Sequence, residues 1–199
     1  MRWTVWRVGV GLAATALATT ALLASQSRAA KAPADSASGF TLASTDISAG
    51  GRIADSQVFN GFGCKGGNVS PALSWNNPPA GTQSFALLMH DPDAPTGSGW
   101  WHWVVYNIPA SVSSLAAGAG DPQKNLLPAG ALQGRTDFGT PGYGGPCPPP
   151  GKPHRYYLRL YALKVAKLDV PADATAAYIG FMVRTQSLAK AELMGLYGR

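Results

Sequence analysis

The sequence predicts a mainly β domain, and three observations carry that prediction. Charged residues make up only 13% of the chain while 24 glycines and 16 prolines punctuate it, a balance that suits a turn-rich sheet protein and not a helical bundle. Phe85 to Met89 runs apolar without a break between turn residues, the pattern of a short strand buried on both faces. His154 to Leu163 alternates. His154, Tyr156, Leu158, Leu160 and Ala162 fall on one face, and Arg155, Tyr157, Arg159, Tyr161 and Leu163 on the other.

The chain opens with Arg2 and Arg7, followed by an uncharged apolar run from Val8 to Ala24. Ser27-Arg28-Ala29 and Ala30-Lys31-Ala32 then offer the small side chains that a signal peptidase reads. Residues 1–29 are expected to be a secretory signal peptide, and residues 30–39 a flexible mature N-terminus. The run is short for a spanning helix and rich in Ala, Thr and Gly. No stable membrane span is therefore expected once it is removed. Losing residues 1–29 removes three arginines and no acid, so the formal charge falls from +6 to +3. The remaining Lys and Arg are scattered, which argues against nucleic acid as a partner. About 170 residues remain, enough for one domain over 40–199 with a single core.

Phe40 to Ala43 reads as a first short strand. Residues 61–68 read as a Gly-rich loop, and Ala72 to Trp75 as a strand closed by Asn77-Pro78-Pro79. Ser84 to His90 and His102 to Ile108 are the next strands, the second rich in β-formers and ended by Pro109. Residues 110–132 read as a long connection, and Gln133 to Thr136 as a short strand. After the strand at His154–Leu163 the tail turns helical. One short helix is expected from Pro171 through Ala174–Ile179. A second is expected over Ser187–Met194, where Leu188, Ala191 and Leu193 recur at helical spacing. Cys64 and Cys147 are the two cysteines. An oxidising compartment permits a disulfide between them; two separate buried thiols are the other possibility.

Two segments concentrate the chemistry. Asp91-Pro92-Asp93-Ala94-Pro95 leads into Gly99-Trp100-Trp101-His102-Trp103, and Gly142 through Gly151 leads into His154-Arg155-Tyr156. They hold two of the three histidines. Prolines fix φ and preorganise the loops. Asp91 beside His102 is expected to raise the imidazole pKa, so that the ring carries charge near neutral pH. Gly144 and Gly145 bring backbone N–H groups close to a ligand. Two carboxylates, two imidazoles and these amides are the parts of a small anion pocket. A metal site of Asp91, Asp93, His102 and His154 is the weaker use of the same residues. Ser187-Leu188-Ala189-Lys190 and Gly97-Ser98-Gly99 lack the companions of a nucleophile motif.

At these residues the chain resembles the phosphatidylethanolamine-binding proteins, also called Raf-kinase-inhibitor-like proteins, and their bacterial branch above all. The resemblance runs from about Phe40 to Arg199. It rests on Gly63-Cys64-Lys65-Gly66-Gly67-Asn68-Val69-Ser70-Pro71, Asp91 to Pro95, Trp101-His102-Trp103, and Gly144-Gly145-Pro146 through His154-Arg155-Tyr156. It implies a β-sandwich of two mainly antiparallel sheets with short C-terminal helices. It also implies a pocket lined by Asp91, His102, Gly145, Pro146, His154 and Tyr156, supported by Asp93, Trp100 and Gly144. The family's pocket also uses a tyrosine from the C-terminal helix, for which Tyr197 is the nearby candidate.

The expected function is a non-enzymatic, periplasmic or secreted binding protein for a phosphate- or carboxylate-bearing group, with a phospholipid headgroup as one such partner. No cofactor and no metal is expected. An inhibitor acting on a hydrolase or kinase through the pocket rim, and a weak hydrolase using His102 and Asp91 as acid and base, are the alternatives. Export is checked by sequencing the N-terminus of the purified protein. It should begin between Ala24 and Ala32, and an intact Met1 in the membrane fraction would contradict the reading.

Overall fold

The computed structural model describes residues 39–199, so the expected signal peptide and most of the expected flexible N-terminus lie outside the described residues. The elements in chain order are β1 (Thr41–Ala43), β2 (Asn60–Gly61), β3 (Cys64–Lys65), β4 (Leu73–Asn76), β5 (Ser84–Asp91), β6 (Trp100–Pro109), β7 (Ser114–Leu115), β8 (Leu132–Gln133), β9 (His154–Leu163), α1 (Ala176–Gln186) and β10 (Ser187–Tyr197). Five strands form one antiparallel sheet in the order β10-β9-β5-β6-β8, and three form a second in the order β1-β4-β7. The third pairing is the small β2–β3 hairpin.

The apolar run at Phe85 becomes the middle strand of the large sheet, and both of its faces are covered. Phe85, Leu87 and Met89 face the three-stranded sheet with Trp103, Val105, Leu158 and Leu160. Trp75 meets Phe85 edge-on at 5.5 Å across that layer. Ala86 and Leu88 face the other way, with Val104, Tyr161 and Leu163, and α1 covers them with Ile179 and Val183. Removing this much apolar surface from water, at about 25 cal/mol per Å², is what holds the layers together. β9 keeps the alternation read from its sequence: Tyr156, Leu158 and Leu160 are fully buried in the larger core.

The tail differs from its expected form. The helix begins at Ala176, two residues past Ala174, capped by Thr175, whose side chain accepts from the Tyr178 N–H. It runs on to Gln186. Ser187–Met194, expected as a helix, is instead most of strand β10, which pairs with β9 from Ser187↔Leu163 to Tyr197↔His154. Its Ala, Leu, Lys, Glu and Met residues favour helix, but only by fractions of a kcal/mol each, about 0.7 at most. The open edge of β9 offers a ladder of backbone hydrogen bonds, and Ala191, Leu193 and Tyr197 are buried on it at alternating positions. Gly195 lets this strand lie close to the core, since a Cβ there would sit 2.7 Å from Ile53 Cγ1. Residues 110–132 hold only β7 and the first residue of β8, close to the expected connection.

Cys64 and Cys147 form a disulfide with their Cα atoms 6.0 Å apart, closing a loop of 83 residues. It ties the β2–β3 hairpin to the loop that precedes β9. Replacing both cysteines with alanine, or adding reductant, should lower the stability of the protein by up to about 4–5 kcal/mol on the chain-entropy model. A urea midpoint that does not move would contradict this role.

Candidate functional site

β5 is hydrogen-bonded to β6 on one side and β9 on the other, antiparallel in both cases. The C-terminal end of β5 therefore lies beside the N-terminal ends of both neighbours. Asp91 stands opposite Trp100, and His90 opposite Tyr157. This register brings Asp91, Trp100, His102, His154 and Tyr156 around one cavity of about 210 Å³. Phe62, Phe138, Pro148 and Pro149 complete its apolar wall, and Cys147 of the disulfide lines it too. Phe138 is the hub of the aromatic part. It meets Trp100 and His102 edge-on, each at 5.5 Å between ring centroids, and stacks on Phe62 at 5.8 Å.

Asp91 is 2% exposed. Its Oδ2 accepts from His154 Nδ1 at 2.7 Å and its Oδ1 from the Asp93 N–H at 2.8 Å. Asp93 in turn accepts from Arg155 through the backbone N–H and Nε at 2.9 Å each, and through Nη2 at 2.6 Å. The Arg155 guanidinium holds the Asp93 carboxyl down at about 2. The Pro-fenced loop is thus pinned to the start of β9.

His102 departs from its expected state. Asp91 was expected to charge it, but that carboxylate's hydrogen-bond partners are His154 and Asp93. His102 Nδ1 donates to the Gly144 carbonyl at 2.6 Å, and the Gly144 N–H donates back to the His102 carbonyl at 2.9 Å. Burial pushes the imidazole down to about 4, against the opposing pull of the Gly144 carbonyl and the Asp91 carboxylate. The ring is neutral at pH 7.

The Gly144–Pro146 amides also differ from expectation. The Gly145 N–H donates to Asn68 Oδ1 at 2.8 Å, so it is not a donor awaiting an anion. Asn68 Nδ2 donates to the Tyr143 carbonyl, and the Pro146 carbonyl accepts from the Phe59 N–H. A Cβ on Gly145 would collide with the Gln57 carbonyl oxygen, so glycine is required there for close packing against residues 57–59. Gly144, Gly145 and Pro146 stand behind the cavity and hold its wall, and none of the three lines it. Tyr197 lies on β10 and not on a helix. It is buried in the core with the Arg52 guanidinium 4.9 Å from its ring, away from the cavity lining. Asn68, Phe62 and Phe138 were not among the expected site residues. Asn68 stood in the sequence only as part of the Gly-rich loop and of the motif behind the family resemblance, and neither phenylalanine sits in a segment that looked chemical.

Two donors around the cavity lack partners. The Trp100 Nε1 and the Tyr156 hydroxyl are both buried and neither makes a hydrogen bond. Burial, followed by the nearby Asp91 carboxylate, raises the Tyr156 pKa, so its hydroxyl keeps its proton. An unmatched buried donor costs about 1–3 kcal/mol. Both belong to residues that line the cavity. Among the described residues no group of three or more His, Cys, Asp or Glu is placed to hold a metal ion.

A family model described as phosphatidylethanolamine-binding protein matches residues 43–198. The chain is similar to the YbcL protein of Escherichia coli strain K12, at 49% identity over 162 residues, covering 81% of this chain and 88% of YbcL. It is 47% identical over 156 residues to YbhB of the same organism, covering 78% and 98%. It is 36% identical over 169 residues to LppC of Mycobacterium tuberculosis, named as a candidate lipoprotein, covering 84% and 77%. The crystal structure of E. coli YbcL, described as a new member of the mammalian PEBP family, is 49% identical and superposes with a TM-score of 0.79 over 80% of this chain and 98% of that one.

The neutral His102 makes stability depend on pH. Its folded pKa of about 4 lies below the ordinary 6.5, so between these values the unfolded chain binds more protons than the folded one. Stability should fall as pH drops from about 6.5 to 4, by about 3 kcal/mol in all. His102→Asn, whose amide can still donate to the Gly144 carbonyl, should flatten this part of the pH profile. Denaturant melts at pH 7, 5.5 and 4 check it, and an equal slope in the two proteins would contradict it.

Proposed function

Because the chain belongs to the phosphatidylethanolamine-binding protein family, we propose that it is a non-enzymatic, exported binding protein whose cavity takes a phosphate- or carboxylate-bearing group, a phospholipid headgroup among them. The pair of unpartnered buried donors, Trp100 Nε1 and the Tyr156 hydroxyl, is the observation that carries this reading. An oxyanion accepts from both, and hydrogen bonds to a charged group are stronger than neutral ones. The aromatic wall of Phe62, Trp100 and Phe138 shields those bonds from water.

Binding without turnover suits the fixed geometry. Asp91 is held by His154 and Asp93, and the His102 Nδ1–H is held by a backbone carbonyl and not by a carboxylate that would strengthen a base. The Thr96 hydroxyl, the nearest thing to a nucleophile on the lining, donates to the Gly99 carbonyl. Export is supported by the basic, apolar and small-residue order of the first 29 residues and by the name carried by LppC.

Tyr156→Phe separates ligand binding from stability. With O-phosphoethanolamine as the probe, affinity should drop about tenfold or more, the loss expected for one hydrogen bond to a charged group. The ligand-free protein should be at least as stable as wild type, because the substitution removes a buried hydroxyl that has no partner. Calorimetric titration and thermal melts decide it. Unchanged affinity, or a substantially lowered melting temperature without ligand, would contradict the assignment of that hydroxyl to the ligand.

A further inference from the structure

The disulfide joins two pieces of cavity wall. Phe62 comes from the tip of the β2–β3 hairpin, two residues before Cys64, and Pro148 and Pro149 directly follow Cys147. Cys147 is half-buried and lines the cavity itself, while Cys64 is 9% exposed and does not. The contact between the two segments does not hang on this bond alone. The Phe59 N–H donates to the Pro146 carbonyl at 3.0 Å, and Asn60 pairs with Lys65 behind the hairpin tip. Arg199 spans the same gap. Its Nε donates to the Pro148 carbonyl at 2.6 Å and its Nη2 to the Phe62 carbonyl at 3.4 Å. The base of the hairpin therefore stays docked when the S–S bond opens. The tip is held less well by its own conformation. Phe62 sits at φ +51° beside Gly63 at +83°, a strained backbone for an aromatic residue, and it is 66% exposed.

The two sulfurs are not equivalent. Cys147 Sγ has the Gly61 and Phe62 carbonyl oxygens at 3.5 and 3.6 Å. A thiolate on Cys147 would face both of these negative ends, so the electron pair is better left on Cys64. We infer that Cys147 is a thiol-exchange site entered from the cavity, where a small aliphatic thiol is taken up as a mixed disulfide while the protein stays folded. The incoming thiolate attacks Cys147 Sγ. One S–S bond forms there as the Cys64–Cys147 bond breaks, and the electron pair leaves on Cys64, which takes a proton from water. One disulfide is consumed and one is formed, so no other oxidant or reductant is needed. The Cys64 thiol can attack back and expel the small thiol, which makes the modification reversible. The site does not depend on what else the cavity binds.

The test treats the oxidised protein with free cysteine near pH 8, where a useful fraction of that thiol is ionised. The reaction is quenched early with acid, and free thiols are capped with N-ethylmaleimide in denaturant before peptide mass spectrometry. Cysteinylated Cys147 with maleimide on Cys64 should exceed the reverse pattern about tenfold. The opening rate should stay within about twofold between buffer and about 1 M urea, because the folded protein is attacked; a bond reached only by global unfolding would open about fivefold or more faster there. Where re-closure is too fast for the adduct to collect, Cys64→Ser removes the closing thiol. Incubated with cystine, that variant should be cysteinylated at Cys147 about tenfold or more faster than Cys147→Ser is at Cys64. An adduct mainly on Cys64, a Cys64→Ser protein no faster than Cys147→Ser, a rate that climbs steeply with urea, or a bond untouched by free cysteine in native buffer overturns the inference and leaves the disulfide a structural staple.

Discussion

The candidate site depends on one constraint: β5 is paired antiparallel with both of its neighbours. That arrangement sets the end of β5 against the beginnings of β6 and β9. Every polar side chain of the cavity other than Thr96 then comes from a strand end, where backbone pairing fixes its position. Asp91 closes β5, Trp100 and His102 open β6, and His154 and Tyr156 open β9. The two cores on either side of the sheet secure the register, since a slip of one residue would turn Phe85, Leu87 and Met89 out of the layer they fill. Groups placed on rigid strands hold the sub-ångström geometry that a binding site requires.

The loops complete what the strands begin, largely by hydrogen bonds and ion pairs internal to the fold. Gly144 grips His102 in both directions, Asn68 clamps Gly145 and Tyr143, and Arg155 anchors Asp93. These bonds satisfy the groups that the sequence presents most conspicuously. Those left unmatched, Trp100 Nε1 and the Tyr156 hydroxyl, belong to residues that line the cavity. The electrostatic character of the cavity follows from this division. A buried, neutral His102 offers an acceptor where an imidazolium would have offered a donor, and no fixed Lys or Arg lines the space among the described residues.

The strands were legible because burial leaves a periodic record. The unbroken run at Phe85–Met89 and the alternation at His154–Leu163 each match their element closely. Ser187–Tyr197 was not legible as a strand. Its residues favour a helix locally, and only the open edge of β9, a feature of tertiary structure, overrides them. At the site, residue types were legible and their partners were not. Asp91, His102, His154 and Tyr156 do surround one cavity, but nothing in the sequence tells which imidazole Asp91 would take. Nor does it tell that the Gly145 N–H is bonded to Asn68, 77 residues away. Phe138 was invisible for the same reason, since its role comes from the rings packed around it.

If the two unpartnered donors are kept for an oxyanion, a bound ligand must satisfy both of them. The most direct measurement is a crystal structure of the protein soaked with O-phosphoethanolamine near pH 6, with the phosphorus located in difference density. The phosphate should lie in the cavity among Trp100, His102, Phe138 and Tyr156, with its oxygens at hydrogen-bond distance, about 2.7–3.2 Å, from both Trp100 Nε1 and the Tyr156 hydroxyl. A phosphate bound elsewhere, or bound in the cavity with both donors still unpartnered, would contradict it.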